Sequence, residues 1–298
     1  MLLEVTHLTR YSYQPKVDNA QHMAYLKPLQ TPFQQLLEHR LVITPQPTES
    51  ELVTDIYGNS RCFFSIQETH AQLSVVAHSR VSTQTRPTIY SDVTWEQVRE
   101  QFRYHANSAY NIAAEFVFAS PCVPIHLNFQ SYALPSFWPK ARLIDSALHL
   151  MGRIYSEFSY ETDSTEVNTP TLQALEQRRG VCQDFAHIMV ACLRAMGLPA
   201  RYVSGYLLTH PPEGQERMIG CDASHAWVSV FVPNSSASGD GQWLDLDPTN
   251  NRAADEDYVT LAIGRDFSDV SPLRGVIRGG ADHTLDVEVT VLPLTQPI

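Results

Sequence analysis

The stretch that organises this chain reads Arg179-Gly180-Val181-Cys182-Gln183-Asp184-Phe185-Ala186-His187 and continues as Ile188-Met189-Val190-Ala191-Cys192-Leu193-Arg194-Ala195-Met196-Gly197. Apolar residues recur at three- and four-residue steps from Phe185 to Met196, which predicts a helix with one apolar face. Gly197 and Pro199 are typical of a helix end. The pattern therefore places Cys182 at a helix N-terminus, where unpaired N–H groups and the helix dipole favour a thiolate.

Length and composition indicate a soluble globular protein of one large domain or two ordinary ones. The chain has 298 residues, 43% of them hydrophobic and 18% charged. A formal net charge of −11 argues against nucleic acid and anionic membranes as partners, since both require basic surface. The first residues do not resemble a signal peptide, and no apolar run approaches the roughly 18 residues that span a bilayer. We expect a cytoplasmic protein.

Hydrophobic patterning divides the chain into three parts. Residues 1–86 contain several short β-rich segments, which predict an N-terminal antiparallel β-sandwich-like domain. Residues 87–140 form a connecting segment, with a capping-box helix after Thr94 and a proline-rich, mostly irregular stretch over 119–139. Residues 141–298 combine helical periods with alternating strands over 200–208, 225–232, 242–247 and 285–292. The fold class predicted is α+β, with the last strand in the third part.

Two neighbouring strands of the third part carry the other chemical groups. Alternation places His225 and Trp227 on one face of their strand, and Asp245 and Asp247 on one face of the next. If the helix packs its N-terminus over that face, Cys182, His225 and one of the two aspartates line up as nucleophile, base and orienting carboxylate. From the pattern alone, either aspartate fits.

These residue types suit acyl transfer for definite reasons. An ordinary thiol has a pKa of about 8.5 and is mostly protonated at neutral pH, so it needs a helix N-terminus and an imidazolium to become a nucleophile. The imidazolium then returns a proton to the leaving amine. The main-chain N–H of Cys182 is the natural donor to the tetrahedral oxyanion, and Gln183 and Tyr160 are candidates for a second donor.

Three motifs in this order resemble the core of the transglutaminase-like superfamily: Gly180-Val181-Cys182-Gln183-Asp184-Phe185-Ala186-His187, Ala223-Ser224-His225-Ala226-Trp227-Val228 and Asp247-Pro248-Thr249-Asn250. The similarity extends to residues 198–206 and 264–270 and, through the β-rich first segment, to nearly the whole chain. The relevant group is the bacterial transglutaminase-like proteins described as cysteine proteases. One departure is the long loop over 233–241, which bears on substrate access.

The resemblance implies a papain-like α+β core, in which a helix bearing the nucleophile packs on an antiparallel sheet. It also implies a triad of Cys182, His225 and Asp247, and the Asp-Pro-Thr match favours Asp247 over Asp245. We expect Asp184, Trp227 and Asp245 to line the site, although Asp184 is also suited to stabilising a helix N-terminus and Trp227 to packing over the triad.

The other cysteines and His187 have simpler interpretations. Five scattered cysteines fit free thiols in a reducing compartment better than a disulfide framework. Cys62, Cys122 and Cys192 are expected to be structural, and His187 to be a core residue. Cys221 is expected to be a loop thiol, with redox pairing to Cys182 as an alternative. A zinc site from Cys182, His187, Cys221 and His225 lacks the usual close ligand spacing, so we expect no metal.

The predicted function is thiol-dependent acyl transfer on an amide or peptide bond through an acyl-enzyme, most simply a cysteine peptidase or amidase acting on a peptide or protein. Transfer to an amine, as in a transglutaminase, or deamidation is the alternative within the same chemistry. A non-catalytic peptide-binding module that retains the fold is the alternative from another class. The chemistry requires no cofactor, and the sequence contains no recognisable calcium loop.

Overall fold

The computed structural model describes residues 1–106, 110–161, 169–209, 224–235, 240–280 and 282–294. Two large antiparallel sheets and a group of helices make up these residues. In chain order, the elements are β1 (Leu2–Ala24), β2 (Gln34–Thr44), β3 (Glu49–Thr54), β4 (Ser60–Ile66), β5 (His70–Thr83), α1 (Trp95–Phe102), α2 (Leu127–Ala133), α3 (Leu143–Glu157), β6 (Ser159–Tyr160), α4 (Thr171–Gln177), β7 (Arg179–Gly180), α5 (Cys182–Ala195), β8 (Ala200–Leu207), β9 (Ser224–Pro233), β10 (Gly241–Asp247), β11 (Arg252–Ala253), β12 (Tyr258–Gly264), α6 (Phe267–Val270), β13 (Leu273–Gly279) and β14 (Asp282–Pro293).

The first sheet is built around the long strand β1. The first half of β1 lies between β5 and β14, and its second half lies between β4 and β13. The outer strands β2 and β3 pair with β5 and β4. Pairing on β1 shifts register at about residues 12–17, so the strand changes neighbours there. The result is one curled seven-stranded antiparallel sheet, where the sequence predicts a sandwich.

The two strands at the end of the chain, β13 and β14, belong to this first sheet. The sequence places the last strand with the third part of the chain, whereas in the structure β14 pairs with β1 from Leu3 to Gln14. A strand of 23 residues offers hydrogen-bonding edges along its whole length, and unpaired edges favour the addition of further strands. The last strand of the chain therefore pairs with the first.

The second sheet, which we call the core sheet, has the order β11-β10-β9-β8-β12. Helix α5 packs against it, and Asp184 to Arg194 are all buried. Helices α2, α3 and α4 contact α5, so that α5 is enclosed between the sheet and the other helices. The α+β class and the predicted helix-on-sheet core are confirmed.

The core sheet and the first sheet share a buried apolar cluster. Tyr206 of β8, Leu208 directly after β8, and Val259 of β12 belong to the same cluster as Leu3 and Val5 of β1. The hydroxyl of Tyr206 lies 2.9 Å from Nδ1 of the buried His7, so one polar contact also crosses this boundary. The two sheets consequently support each other.

The connecting segment contains the predicted capping box and one helix that the sequence analysis missed. Gln97 N donates to Thr94 Oγ1 at 3.4 Å, and Thr94 N donates to Gln97 Oε1 at 2.9 Å. The stretch 119–139, expected to be mostly irregular, includes α2. Its prolines lie outside α2, and Phe129 on α2 is fully buried in the cluster that contains α5. Among the residues that the structure describes, no helix is long and apolar enough to cross a membrane.

Candidate functional site

The start of α5 is shaped by two residues around Cys182. Val181 N donates to Asp184 Oδ2 at 2.9 Å, so the Asp184 carboxylate binds one of the N–H groups that the helix leaves unpaired. A Cβ on Gly180 would lie 2.5 Å from that same oxygen, and only glycine leaves room for the carboxylate. Asp184 is buried and stabilises the helix start, while Cys182 is partly exposed as the first residue of α5.

Helix α5 packs against the opposite face of β9 from the one that the sequence analysis considers. Ala226, Val228 and Val230 share a buried cluster with α5, whereas Trp227 packs in a separate cluster on the other side. A helix that is buried along its length needs an apolar surface, and the alanine and valine face supplies it. The site therefore forms at the end of β9, where Cys182 Sγ lies 3.9 Å from Ser224 O.

His225 lies between Cys182 and Asp247. Its Nε2 is 2.7 Å from Asp247 Oδ2, which leaves Nδ1 for the thiol. Burial acts to lower the pKa of His225, but the hydrogen bonds to Asp247 and Cys182 and the charges of both outweigh it and raise the pKa to about 10. The arrangement favours the imidazolium form of His225.

Asp247 is fully buried, and a network of donors surrounds its carboxylate. Oδ1 accepts from the main-chain N–H groups of Thr249 and Asn250 at 2.8 and 3.2 Å. Oδ2 accepts from Asn250 Nδ2 and from the Tyr258 hydroxyl, each at 2.7 Å, in addition to His225. Burial acts to raise the pKa of Asp247, but His225, Asn250 and Tyr258 together hold it below its usual range. Asp247 is therefore ionised and fixed in orientation.

Asn250 and Tyr258 have functions here that the sequence analysis did not assign. Asn250 stands in the quoted Asp-Pro-Thr-Asn motif, three residues after Asp247, where an Asx-type turn could have suggested its contact. No signal in the sequence identifies Tyr258, which lies on the distant edge strand β12. Only the tertiary structure brings its hydroxyl to Asp247.

Asp245, the rival carboxylate, does not contact His225. Its oxygens bind the guanidinium of Arg86 and the hydroxyl of Ser229, the residue that pairs with Asp245 two positions along β10 from Asp247. The two aspartates do lie on the same face of β10, as the alternation predicts. Only Asp247, however, lies at the end of the sheet that is next to Cys182.

Trp227 packs beneath the site and constrains the strand beside it. It is fully buried, with its ring centroid 6.2 Å from that of His225 and 5.2 Å from that of Tyr258. Gly205 pairs with His225 across β8 and β9, and a Cβ there would lie 2.4 Å from Trp227 and 2.1 Å from the carbonyl oxygen of Val259. The glycine allows the indole to lie across β8.

Tyr160 and Gln183, the candidates for a second oxyanion donor, both lie near Cys182. Tyr160 pairs with Gly180 through the short strands β6 and β7, and its side chain is 52% exposed. Burial of its hydroxyl and the charge of Cys182 raise the pKa of Tyr160. Gln183 is partly exposed in the first turn of α5.

The remaining candidates lie away from this centre. His187 is buried, its Nε2 accepts from Phe267 N at 3.1 Å, and burial lowers its pKa to about 4. Cys192 is buried in the core, and burial raises its pKa. Cys62 and Cys122 are partly exposed free thiols. Cys221 and part of the 233–241 loop lie outside the described residues. Within the described ranges, no group of three or more His, Cys, Asp or Glu side chains could hold a metal ion.

This chain is similar in sequence to a known protein family and to several known proteins. Residues 137–248 match the transglutaminase-like superfamily, and residues 3–82 match the bacterial transglutaminase-like N-terminal region. An uncharacterized protein of Mycobacterium tuberculosis is 40% identical over 295 residues, which cover 97% of this chain and 92% of that protein. A protein-glutamine gamma-glutamyltransferase of Pseudomonas aeruginosa is 29% identical over 135 residues, which cover 43% of this chain and 19% of that protein.

Among solved structures, a "Putative Cysteine Protease" from Cytophaga hutchinsonii superposes with a TM-score of 0.72 at 22% sequence identity, covering 100% of this chain and 92% of that one. This likeness shows a shared fold over the full length. Since the family profiles match both the first sheet and the core, and a relative is 40% identical along nearly its whole length, the chain belongs to the transglutaminase-like superfamily.

Proposed function

We propose that this protein is a thiol-dependent acyl-transfer enzyme that attacks an amide or peptide bond through Cys182, with His225 as the acid–base group and Asp247 as the orienting carboxylate. The observation that supports it is the 2.7 Å pair of His225 Nε2 and Asp247 Oδ2 beside a partly exposed thiol at the start of a buried helix. A nucleophile, a base and a third group that orients the base are the requirements of covalent acyl transfer.

In the proposed reaction, the Cys182 thiolate attacks the amide carbonyl carbon and the electron pair moves to the oxygen. The main-chain N–H of Cys182 stabilises that oxyanion, and we propose Tyr160 or Gln183 as the second donor. The His225 imidazolium donates its proton to the leaving amine as the C–N bond breaks and a thioester forms. Asp247 remains ionised and keeps the ring oriented.

Water is the acyl acceptor that we propose. His225, now neutral, takes a proton from water as the oxygen attacks the thioester, and the products are a carboxylate and the free thiol. The similarity to a protein-glutamine gamma-glutamyltransferase motivates one second candidate, in which a primary amine takes the acyl group. Adding a labelled primary amine to a working reaction distinguishes the two, because only amine transfer incorporates the label into the product.

The deciding experiment is to trap the acyl-enzyme from a peptide library and locate the adduct by mass spectrometry. We expect the thioester on Cys182 in the wild-type protein and in Cys62→Ala, which removes another partly exposed thiol distant in the fold. Cys182→Ala should form no adduct. If Cys182→Ala turned over a substrate as fast as wild type, the proposal would be wrong.

Thiol alkylation separates an enzyme from a non-catalytic peptide-binding module. At neutral pH, we expect iodoacetamide to modify Cys182 faster than Cys62 and Cys122, because an adjacent imidazolium stabilises the thiolate. The substitution His225→Ala should remove this preference. Equal alkylation of the three thiols in wild type would favour the binding module.

A further inference from the structure

A cavity of about 620 Å³ lies against the face of the core sheet that carries Arg201 and Asp245. Cys182, His225 and Asp247 are not among the residues that line it. Most of its wall is apolar and comes from the first segment, the connecting segment, α3 and the core sheet, for example Leu29, Phe33, Ile89, Leu148, Val203 and Trp243. Its volume is within the range of about 300–1,000 Å³ that is usual for small-molecule sites.

Four charged side chains line this cavity, and three of them are already engaged with each other. The Asp245 carboxylate binds the guanidinium of Arg86 and the hydroxyl of Ser229. The Asp255 carboxylate accepts from the main-chain N–H of Arg86 at 3.0 Å. The carboxylates in the cavity wall therefore have partners of their own.

Arg201, the fourth charged residue, is different. Its Nε is buried and has no hydrogen-bond partner among the described residues. The guanidinium carbon lies 4.0 Å from the ring centroid of Trp243, over the face of the indole, and the N–H groups of a guanidinium lie in its own plane. Burial lowers the pKa of Arg201 to about 10, against the charge of Asp245, and the group remains a cation at neutral pH. A buried donor without an acceptor is costly, and a ligand oxygen would remove that cost.

We propose that this cavity binds a small organic carboxylate with an apolar body. The carboxylate accepts hydrogen bonds from the edge of Arg201, a geometry that a guanidinium offers to a planar anion. The apolar body lies between Trp243, Val203 and Leu148. Such a ligand comes from two sources, a free fatty acid or the C-terminal carboxylate of a peptide that ends in an apolar residue. The site is independent of the proposed reaction at Cys182.

Isothermal titration calorimetry on the full chain tests the proposal, with decanoate and N-acetyl-leucyl-leucine as the two carboxylate probes and 1-decanol as the neutral probe. We expect one carboxylate to bind with 1:1 stoichiometry and a Kd below about 1 mM, and 1-decanol to bind at least about tenfold more weakly. Which carboxylate binds identifies the source. No binding of either carboxylate, or equal binding of 1-decanol, overturns the proposal.

Two sets of variants locate the site. Arg201→Met keeps the apolar stem and should weaken carboxylate binding at least tenfold, whereas Cys182→Ala should bind like wild type even if the proposed enzyme activity is lost. Leu148 is 40% exposed, so Leu148→Glu and Leu148→Lys should both fold. We expect the glutamate to weaken binding several-fold relative to the lysine, because it repels a carboxylate ligand. If Arg201→Met does not fold, the Leu148 pair decides, and equal affinities of the two variants contradict the proposal.

Discussion

Replacing Asp247 by asparagine removes one negative charge beside His225 while keeping the shape of the side chain. Nε2 of His225 lies 2.7 Å from Oδ2 of Asp247. Because Asp247 is fully buried, water cannot compensate for the loss of its charge. His225, whose side chain is 10% exposed and has a pKa raised to about 10, should become more acidic in this variant. The substitution therefore measures how strongly the carboxylate holds the imidazolium.

The size of the change follows from the hydrogen bond that is lost. A hydrogen bond to a charged group contributes about 1.5–3 kcal/mol, and one pKa unit corresponds to about 1.4 kcal/mol. We expect the pKa of His225 to fall by about 1–2 units in Asp247→Asn. NMR spectra of protein labelled at histidine, recorded across pH, give this pKa directly. His187, with a pKa lowered to about 4 by burial, is an internal reference that should not move.

Asp245→Asn is the matched control for this experiment. It removes a carboxylate two residues away on the same strand, but this carboxylate binds Arg86 and Ser229 and does not contact His225. The pKa of His225 should change little in this variant. If the pKa of His225 were unchanged in Asp247→Asn, the carboxylate of Asp247 would not hold the imidazolium and the reasoning would be refuted. An equal change of this pKa in Asp245→Asn would also refute it, because the effect would then not depend on contact with His225.

The same pKa makes stability depend on pH. Because the pKa of His225 is higher in the folded state than the ordinary value of 6.5, protonation stabilises the fold. This contribution is fully present below pH 6.5 and is lost as pH rises toward about 10. Denaturant unfolding of wild type and His225→Gln across this range should show a smaller loss of stability in the variant. Parallel curves for the two proteins would contradict the prediction.

Two further substitutions test the packing around the site. Gly205→Ala should destabilise the protein by roughly 1–3 kcal/mol or more, because the added Cβ meets Trp227, whereas Gly152→Ala on α3 finds only an ordinary contact at 3.6 Å and should be neutral or stabilising. Thermal unfolding compares the two, and an equal effect at both glycines would contradict the steric argument. Tyr258→Phe removes a 2.7 Å hydrogen bond to the buried Asp247 and should cost about 1.5–3 kcal/mol in chemical denaturation. A variant as stable as wild type would show that this hydrogen bond contributes little.

The local elements of the core are largely readable from the sequence. The apolar period predicts α5, and alternation predicts strands over 200–208, 225–232 and 242–247, against the observed β8, β9 and β10. These predictions succeed because helical and strand periodicities are local properties of the chain. Helix α2 was missed because its short apolar pattern lies among prolines, and its stability depends on burial against α5.

The candidate site was predicted from its residues, and the structure brings the three of them together. His225 contacts Asp247 and lies beside Cys182, while their catalytic function stays a prediction. The pattern could not choose between Asp245 and Asp247, since both share one face of β10. The resemblance to a family favoured Asp247. In the structure, Asp247 lies at the end of β10 and contacts His225, whereas Asp245 contacts Ser229.

The sequence by itself determined the helix that begins at Cys182, the strands that follow it and the residue types of the candidate site. The tertiary structure alone decided which face of β9 covers α5, that β14 returns to β1, that Tyr258 reaches Asp247 and that Arg201 stacks on Trp243. The reason is physical. Periodicity is encoded in neighbouring residues, whereas these contacts join residues far apart in the chain and arise only when the buried surfaces pack together.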